Sequence, residues 1–148
     1  MKLANSVKIS VFAKEGEDPE KILSKLIALI PFTIEEEKIA LNKQNASGFN
    51  ERTIKIFEIT LIKDRHINGF LEFLNSKLTT DQKELLIQQA ESRTDEDLNF
   101  FIRLDKEKLF NDEFHITDSG NCYHIRIGLA VFPKKKENAL AVIKEIFK

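Results

Sequence analysis

The sequence predicts an α+β fold: a mainly antiparallel sheet of four to five strands with helices packed on one face, in the order β-α-β-β-α-α-β-β-α. Three observations carry this. Short runs alternate apolar and polar residues at the period of a half-buried strand, and other runs repeat apolar residues at helical spacing behind a cap signal. The two kinds do not alternate regularly, as a parallel sheet with helical crossovers requires.

The first run, Val7 to Ala13, places Val7, Ile9 and Val11 on one face of a strand and Phe12 on the other. Asp18 before Pro19 is an N-cap and first-turn signal, after which Ile22, Leu23, Leu26, Ile27 and Ile30 recur at helical spacing until Pro31. Thr33 to Leu41 reads as a weaker, acidic strand. Residues 42–52, with Asn45, Ser47, Gly48 and Asn50, read as a turn or loop. Thr53 to Ile62 is the most β-prone run, a central strand whose change of phase at Ile56-Phe57 implies a bulge or burial of both faces.

Asp64 is placed to cap a helix with the stripe Ile67, Phe70, Leu71, Leu74 and Leu78, and Thr79 or Thr80 with Asp81 starts a further helix carrying Leu85, Leu86 and Ala90. Leu98 to Leu104 alternates again, with Phe101 and Arg103 opposite the apolar set, and residues 105–112 read as a short helical turn. Tyr123 to Phe132 sets Ile125, Ile127, Leu129 and Val131 against His124, Arg126, Gly128, Ala130 and Phe132. Pro133 ends that strand, and a last helix gathers Ala139, Leu140, Ile143, Ile146 and Phe147 on one side.

Length and composition bound the function. At 148 residues the chain suits one domain, 1–148, with one core, and no apolar run approaches a bilayer span. The start lacks an apolar signal core, which predicts a cytoplasmic protein. Cys122 is the sole cysteine, so no internal disulfide or multi-cysteine zinc site is available. A net charge of -1 excludes a general polyanion binder, and any nucleic-acid site must be a local patch.

Catalytic chemistry finds no constellation. The local candidates for a metal are Cys122, His124, His115 and Asp118, and those for a nucleophile are Ser119 or Cys122 beside His124; the remaining ligands, an elbow and an oxyanion signature are all lacking. Gly16, Gly48, Gly69, Gly120 and Gly128 are scattered singly and build no phosphate loop. The acidic runs at 35–37 and 95–97 read as solvated surface. The expectation is therefore no enzyme, no cofactor, no metal and no small-molecule substrate.

The informative feature is the sheet face away from the helices, where alternation gathers Phe12, Phe101, Arg103, His124, Arg126 and, through the phase change, Phe57. Aromatic rings with arginines on an open sheet suit single-stranded RNA, since bases stack on rings and guanidinium groups meet phosphates. The same set suits a homodimer interface, which the residues alone favour. Basic hinges follow three strands, at Lys14, at Lys63 and Arg65, and at Lys134, Lys135 and Lys136; they form one patch only if those strands run in the same direction.

The last third carries a more specific pattern: Phe101-Ile102-Arg103-Leu104-Asp105-Lys106-Glu107, then Ile125-Arg126-Ile127 and Val131-Phe132-Pro133-Lys134-Lys135. With the N-terminal strand ending in Val11-Phe12 and its capped helix, the chain resembles an archaeal family of uncharacterised proteins labelled predicted RNA-binding proteins or exosome subunits. The resemblance implies a fold similar to RNA-recognition-motif domains and to the ribosomal protein that binds 5S ribosomal RNA. It implies a non-catalytic RNA-associated module, an accessory of the archaeal exosome, for which the open face and the hinges supply Phe12, Phe101, Arg103, His124, Arg126, Lys63, Arg65, Lys134, Lys135 and Lys136 as candidate contacts. The aromatic RNA-recognition signature itself is absent. The alternative is a homodimeric protein-interaction module that uses the same face and binds no RNA.

Overall fold

Alternation becomes strand wherever one face of a run is buried, and the computed structural model, which describes residues 2–47 and 52–148, shows this run by run. The elements are β1 (Ala4–Ala13), α1 (Pro19–Ala28), β2 (Ala40–Ser47), β3 (Thr53–Leu61), α2 (Asp64–Lys77), α3 (Thr80–Gln88), β4 (Asn99–Asp105), α4 (Lys106–Phe110), β5 (Cys122–Leu129) and α5 (Lys136–Ile146). The strands form one sheet in the order β2-β3-β1-β5-β4. The α+β class, the five-stranded antiparallel sheet and the order of elements match the sequence reading. The chain divides into two compact units, one of Met1–Val7, Ile62–Ile102 and Arg126–Lys148, the other of Lys8–Leu61 and Arg103–Ile125.

In the second unit, Ile9 and Val11 of β1 and Ile22 and Leu26 of α1 are buried. The Asp18 carboxylate caps α1, its Oδ1 accepting the Glu20 and Lys21 backbone N–H groups at 3.1 and 3.3 Å. Tyr123 of β5 is fully buried, and its hydroxyl donates to the Ile22 carbonyl at 2.7 Å, which satisfies its one polar atom. Burial, and then the Glu17 charge, push the phenol pKa well above its ordinary value.

Two readings in this unit are corrected. Of the expected strand Thr33 to Leu41 only Ala40 and Leu41 are strand, as the start of β2; before them the backbone closes on itself through Glu37 N–H to the Thr33 carbonyl and Ile39 N–H to the Ile34 carbonyl, with Lys38 in the left-handed region at φ 54°. Most of the expected loop is instead strand β2, in unbroken antiparallel register with β3 from Ala40↔Thr60 to Ser47↔Thr53. Gly48 and Asn50 lie outside the described residues. β2 is the terminal strand and its side chains are mostly exposed, so no burial imposes alternation and the ladder to β3 alone defines it.

The one-to-one register also removes the expected bulge in β3. Phe57, Ile59 and Leu61 all point into the core, so Phe57 does not belong to the open face.

In the first unit, Ile67, Phe70, Leu71 and Leu74 of α2 are buried as the stripe requires, and Thr79 with Gln82 forms a reciprocal capping box for α3. Phe100 packs on Phe147 with ring centroids 5.8 Å apart. Asp64 does not cap α2. Lys63 holds the cap position with no side-chain bond, and the Asp64 carboxylate instead meets Lys2 Nζ at 3.4 Å.

Candidate nucleic-acid interface

The open face begins with β1. Because Ile9 and Val11 point inward, Ser10 and Phe12 point outward, and the Phe12 ring stays 48% exposed. Around it, within the unit Lys8–Leu61 and Arg103–Ile125, lies a cavity of about 260 Å³ lined by Ser10, Val11, Phe12, Arg103, Gly120, Cys122 and His124. Three of the sequence-predicted residues, Phe12, Arg103 and His124, thus meet at one place. The cavity is smaller than the ordinary range for drug-sized ligands and suits a single planar group.

The Arg103-Leu104-Asp105-Lys106 block divides its work by direction. Arg103 is exposed and donates from Nη1 to the Asp118 carbonyl at 3.0 Å, which holds the guanidinium beside the cavity. Leu104 enters the core. Asp105 caps α4, its Oδ1 accepting the Lys108 N–H at 2.9 Å. Lys106 is only 1% exposed, and its ammonium donates to the Phe12 carbonyl at 2.7 Å and to the Glu17 carboxylate oxygens at 3.2 and 3.3 Å. The ammonium therefore ties the backbone that carries the Phe12 ring to the loop before α1.

Burial pushes the Glu17 carboxyl pKa up, but the Lys14 backbone N–H and the Lys106 ammonium outweigh it, and the pKa lies below the ordinary value of 4.5. A depressed folded pKa gives stability that is complete above the unfolded value and is lost as pH falls through the folded one. Wild-type melting temperature is therefore expected to fall as pH drops from 6 toward 3, and the Lys106→Met variant to fall less over the same interval. Parallel pH profiles for the two proteins would remove the pair from this account.

Cys122 behaves as a packing residue. Burial raises its thiol pKa, Asp105 adds to this, and the Arg103 and Lys106 charges only partly oppose it, which is the reverse of an activated nucleophile. The Ser119 hydroxyl accepts the Asn121 N–H at 3.1 Å within the turn. Among the described residues, no three of His, Cys, Asp or Glu converge as metal ligands.

The other predicted residues lie in the unit containing Met1–Val7, Ile62–Ile102 and Arg126–Lys148. Phe101 is half-buried, and Arg93 embraces its backbone, its carbonyl accepting the Phe101 N–H at 2.9 Å and its Nη1 donating to the Phe101 carbonyl at 3.3 Å. Arg126 is half-buried and within electrostatic reach of Asp95. Burial pushes the Asp95 pKa up, but together the bonds from Asn99 and Asp97 and then the Arg126 charge outweigh it and bring it below the ordinary carboxylate value. Part of the Arg126 charge is thereby engaged within the protein.

The hinges divide. Leu3 accepts the Ala130 N–H and Ser6 lies against Gly128, so β1 and β5 run in opposite directions. Lys63, Arg65, Lys134, Lys135 and Lys136, all exposed, belong to the unit that holds the start of β1, on segments tied to Lys2 and Leu3, whereas Lys14 follows the far end of β1 and belongs to the other unit. Sequence reasoning also missed Phe132 and Ile62 as surface residues, because it made them the last residues of strands; β5 ends at Leu129 and β3 at Leu61, and the two side chains stand 95% and 71% exposed.

A family model described as "RNA binding" matches residues 6–129. The chain is 30% identical over 142 residues to "RNA-binding protein PAB1135" of Pyrococcus abyssi, covering 96% of this chain and 92% of that protein. Among solved structures it is similar to protein AF2318 from Archaeglobus fulgidus, at TM-score 0.85 and 26% identity over 97% of this chain and 99% of the other. Mth689 from Methanothermobacter thermautotrophicus shares the fold at TM-score 0.78 and 24% identity, with 99% of each chain covered. With most of its length inside the matched region, this chain belongs to the family described as RNA binding.

Proposed function

We propose that this protein is a non-catalytic RNA-binding module that takes unpaired nucleotides on the open face of its sheet. The observation that carries the reading is the exposed Phe12 ring beside Arg103 and His124 at one small cavity. A base stacks on the ring and the guanidinium meets the adjoining phosphate. Within the other unit, Phe101 and Arg126 offer the same chemistry, and Lys63, Arg65, Lys134, Lys135 and Lys136 supply charge there. The net charge of -1 means that binding rests on these local groups and not on a general positive field.

The finer reading is a single-domain cytoplasmic protein that holds RNA for a catalytic assembly, as an accessory of the archaeal exosome. Pull-down by reconstituted exosome, with and without RNA, tests that setting. Failure in both conditions removes it and leaves RNA binding to stand alone.

The test of RNA binding is a salt titration against fluorescent single-stranded and structured RNA, accompanied by a solution mass determination. Micromolar or tighter binding that weakens with salt is expected, with Arg103→Ala/Arg126→Ala weaker by about 10-fold. A homodimeric protein-interaction module is the second reading, favoured by β2 standing at the sheet's terminus with its side chains exposed. A stable dimer with no RNA binding at low salt would establish that reading in place of the first.

A further inference from the structure

Within the unit of Met1–Val7, Ile62–Ile102 and Arg126–Lys148, the residues just before β1 join two segments. The Leu3 carbonyl accepts the Ala130 N–H at 2.9 Å, just past β5, and Lys2 Nζ meets Asp64 at 3.4 Å, just past β3. On those two segments stand the two most exposed large apolar side chains among the described residues, Phe132 and Ile62. Beside them in the chain are the exposed cations Lys63 and Arg65 on one segment and Lys134, Lys135 and Lys136 on the other.

The turn that carries the Phe132 ring is pinned. The Pro133 carbonyl accepts the Lys135 N–H at 2.8 Å and Asn138 Nδ2 at 2.9 Å, and the Lys135 carbonyl in turn accepts the Asn138 and Ala139 N–H groups that open α5. An aromatic side chain held outside the core on a bonded turn loses little freedom on binding a partner.

Charge decides the class of partner. On these two segments the anions are Asp64, already paired with Lys2, and Glu137, against Lys63, Lys134, Lys135 and Lys136, so the segments carry net positive charge even without Arg65. A protein partner's apolar core would have to desolvate those cations, and a bilayer needs more buried apolar area than one ring and one isoleucine provide. A planar group flanked by phosphates matches both features: the ring takes the base and the ammonium groups take the backbone. We propose that Phe132 is a base-stacking post for an unpaired RNA nucleotide, with Lys134, Lys135 and Lys136 on the adjoining phosphates. This rests on the RNA reading above, and assigns to it a second contact, apart from the Phe12 cavity.

The experiment uses single-stranded RNA carrying 2-aminopurine, whose fluorescence reports stacking, with wild type and the variants Phe132→Ala, Phe132→Leu, Phe132→Tyr and Phe12→Ala. Phe132→Ala and Phe132→Leu are each expected to weaken binding by about 5- to 10-fold, the low end for a single stacked ring, and Phe132→Tyr to keep wild-type affinity. Because the ring is outside the core, melting temperature should not move. Replacing Lys134, Lys135 and Lys136 by alanine should reduce the steepness of the logarithmic salt dependence by about 2. If wild type binds and Phe12→Ala weakens it while Phe132→Ala does not, the stacking post is wrong and the cavity reading survives. If wild type binds no RNA, both fall. Phosphatidylserine vesicles form the last arm: capture lost in Phe132→Ala, with RNA affinity unchanged, would make the segment a membrane contact.

Discussion

The Lys106→Ala variant is expected to lose about 3–5 kcal/mol of stability, because it removes a buried cation from two anionic or carbonyl partners and leaves a space where its stem was packed. For a chain of this size that corresponds to a melting temperature lower by roughly 6–20 °C. The Phe12 carbonyl and the Glu17 carboxylate are the groups left behind. Lys106→Met separates the two contributions, since it keeps an apolar stem and removes only the charge; a loss of about 2 kcal/mol is expected for it. Glu17→Gln completes a double-mutant cycle, and a coupling energy near zero would mean that the pair is geometric only. RNA affinity of the Met variant should fall as well, because the Phe12 ring loses the tie that fixes its backbone.

Gly128→Val should be the most damaging change on the open face itself. A Cβ at this position would stand 2.8 Å from Ser6 Oγ and 3.6 Å from Asn99 Oδ1, so the close approach of β1 and β5 leaves no room for a branched side chain. A loss of about 3 kcal/mol is expected by thermal or urea denaturation, from the general cost of overpacking. Gly128→Ala should cost about 1 kcal/mol and be rescued by Ser6→Ala, which removes the clashing oxygen. Full stability of Gly128→Val in a wild-type Ser6 background would show that the strands separate freely there.

Much of the fold was legible because burial leaves a period in the sequence. Val7, Ile9 and Val11, the Asp18-Pro19 cap and the stripe from Ile67 to Leu74 each report a local rule that the structure keeps. β2 was not legible, since a strand with both faces exposed carries no alternation, and its identity comes from backbone pairing with β3. Asp64 was misread because a cap residue and the first helical residue share the same chemistry, and Lys2, sixty-two positions earlier, decides which partner the carboxylate takes.

For the site, the sequence by itself determined which side of each strand a residue occupies, and so placed Phe12, Arg103 and His124 outward from the period of two alone. It also determined that no phosphate loop or multi-cysteine metal site is encoded. Only the tertiary structure decided that Phe57 turns inward, that Lys106 is a buried tie to Phe12, that Arg126 comes within electrostatic reach of Asp95, and that β1 and β5 run in opposite directions. The reason is one of range. Side-chain direction follows from neighbouring residues, whereas strand order, strand direction and the partner of a long charged side chain depend on segments brought together from far along the chain.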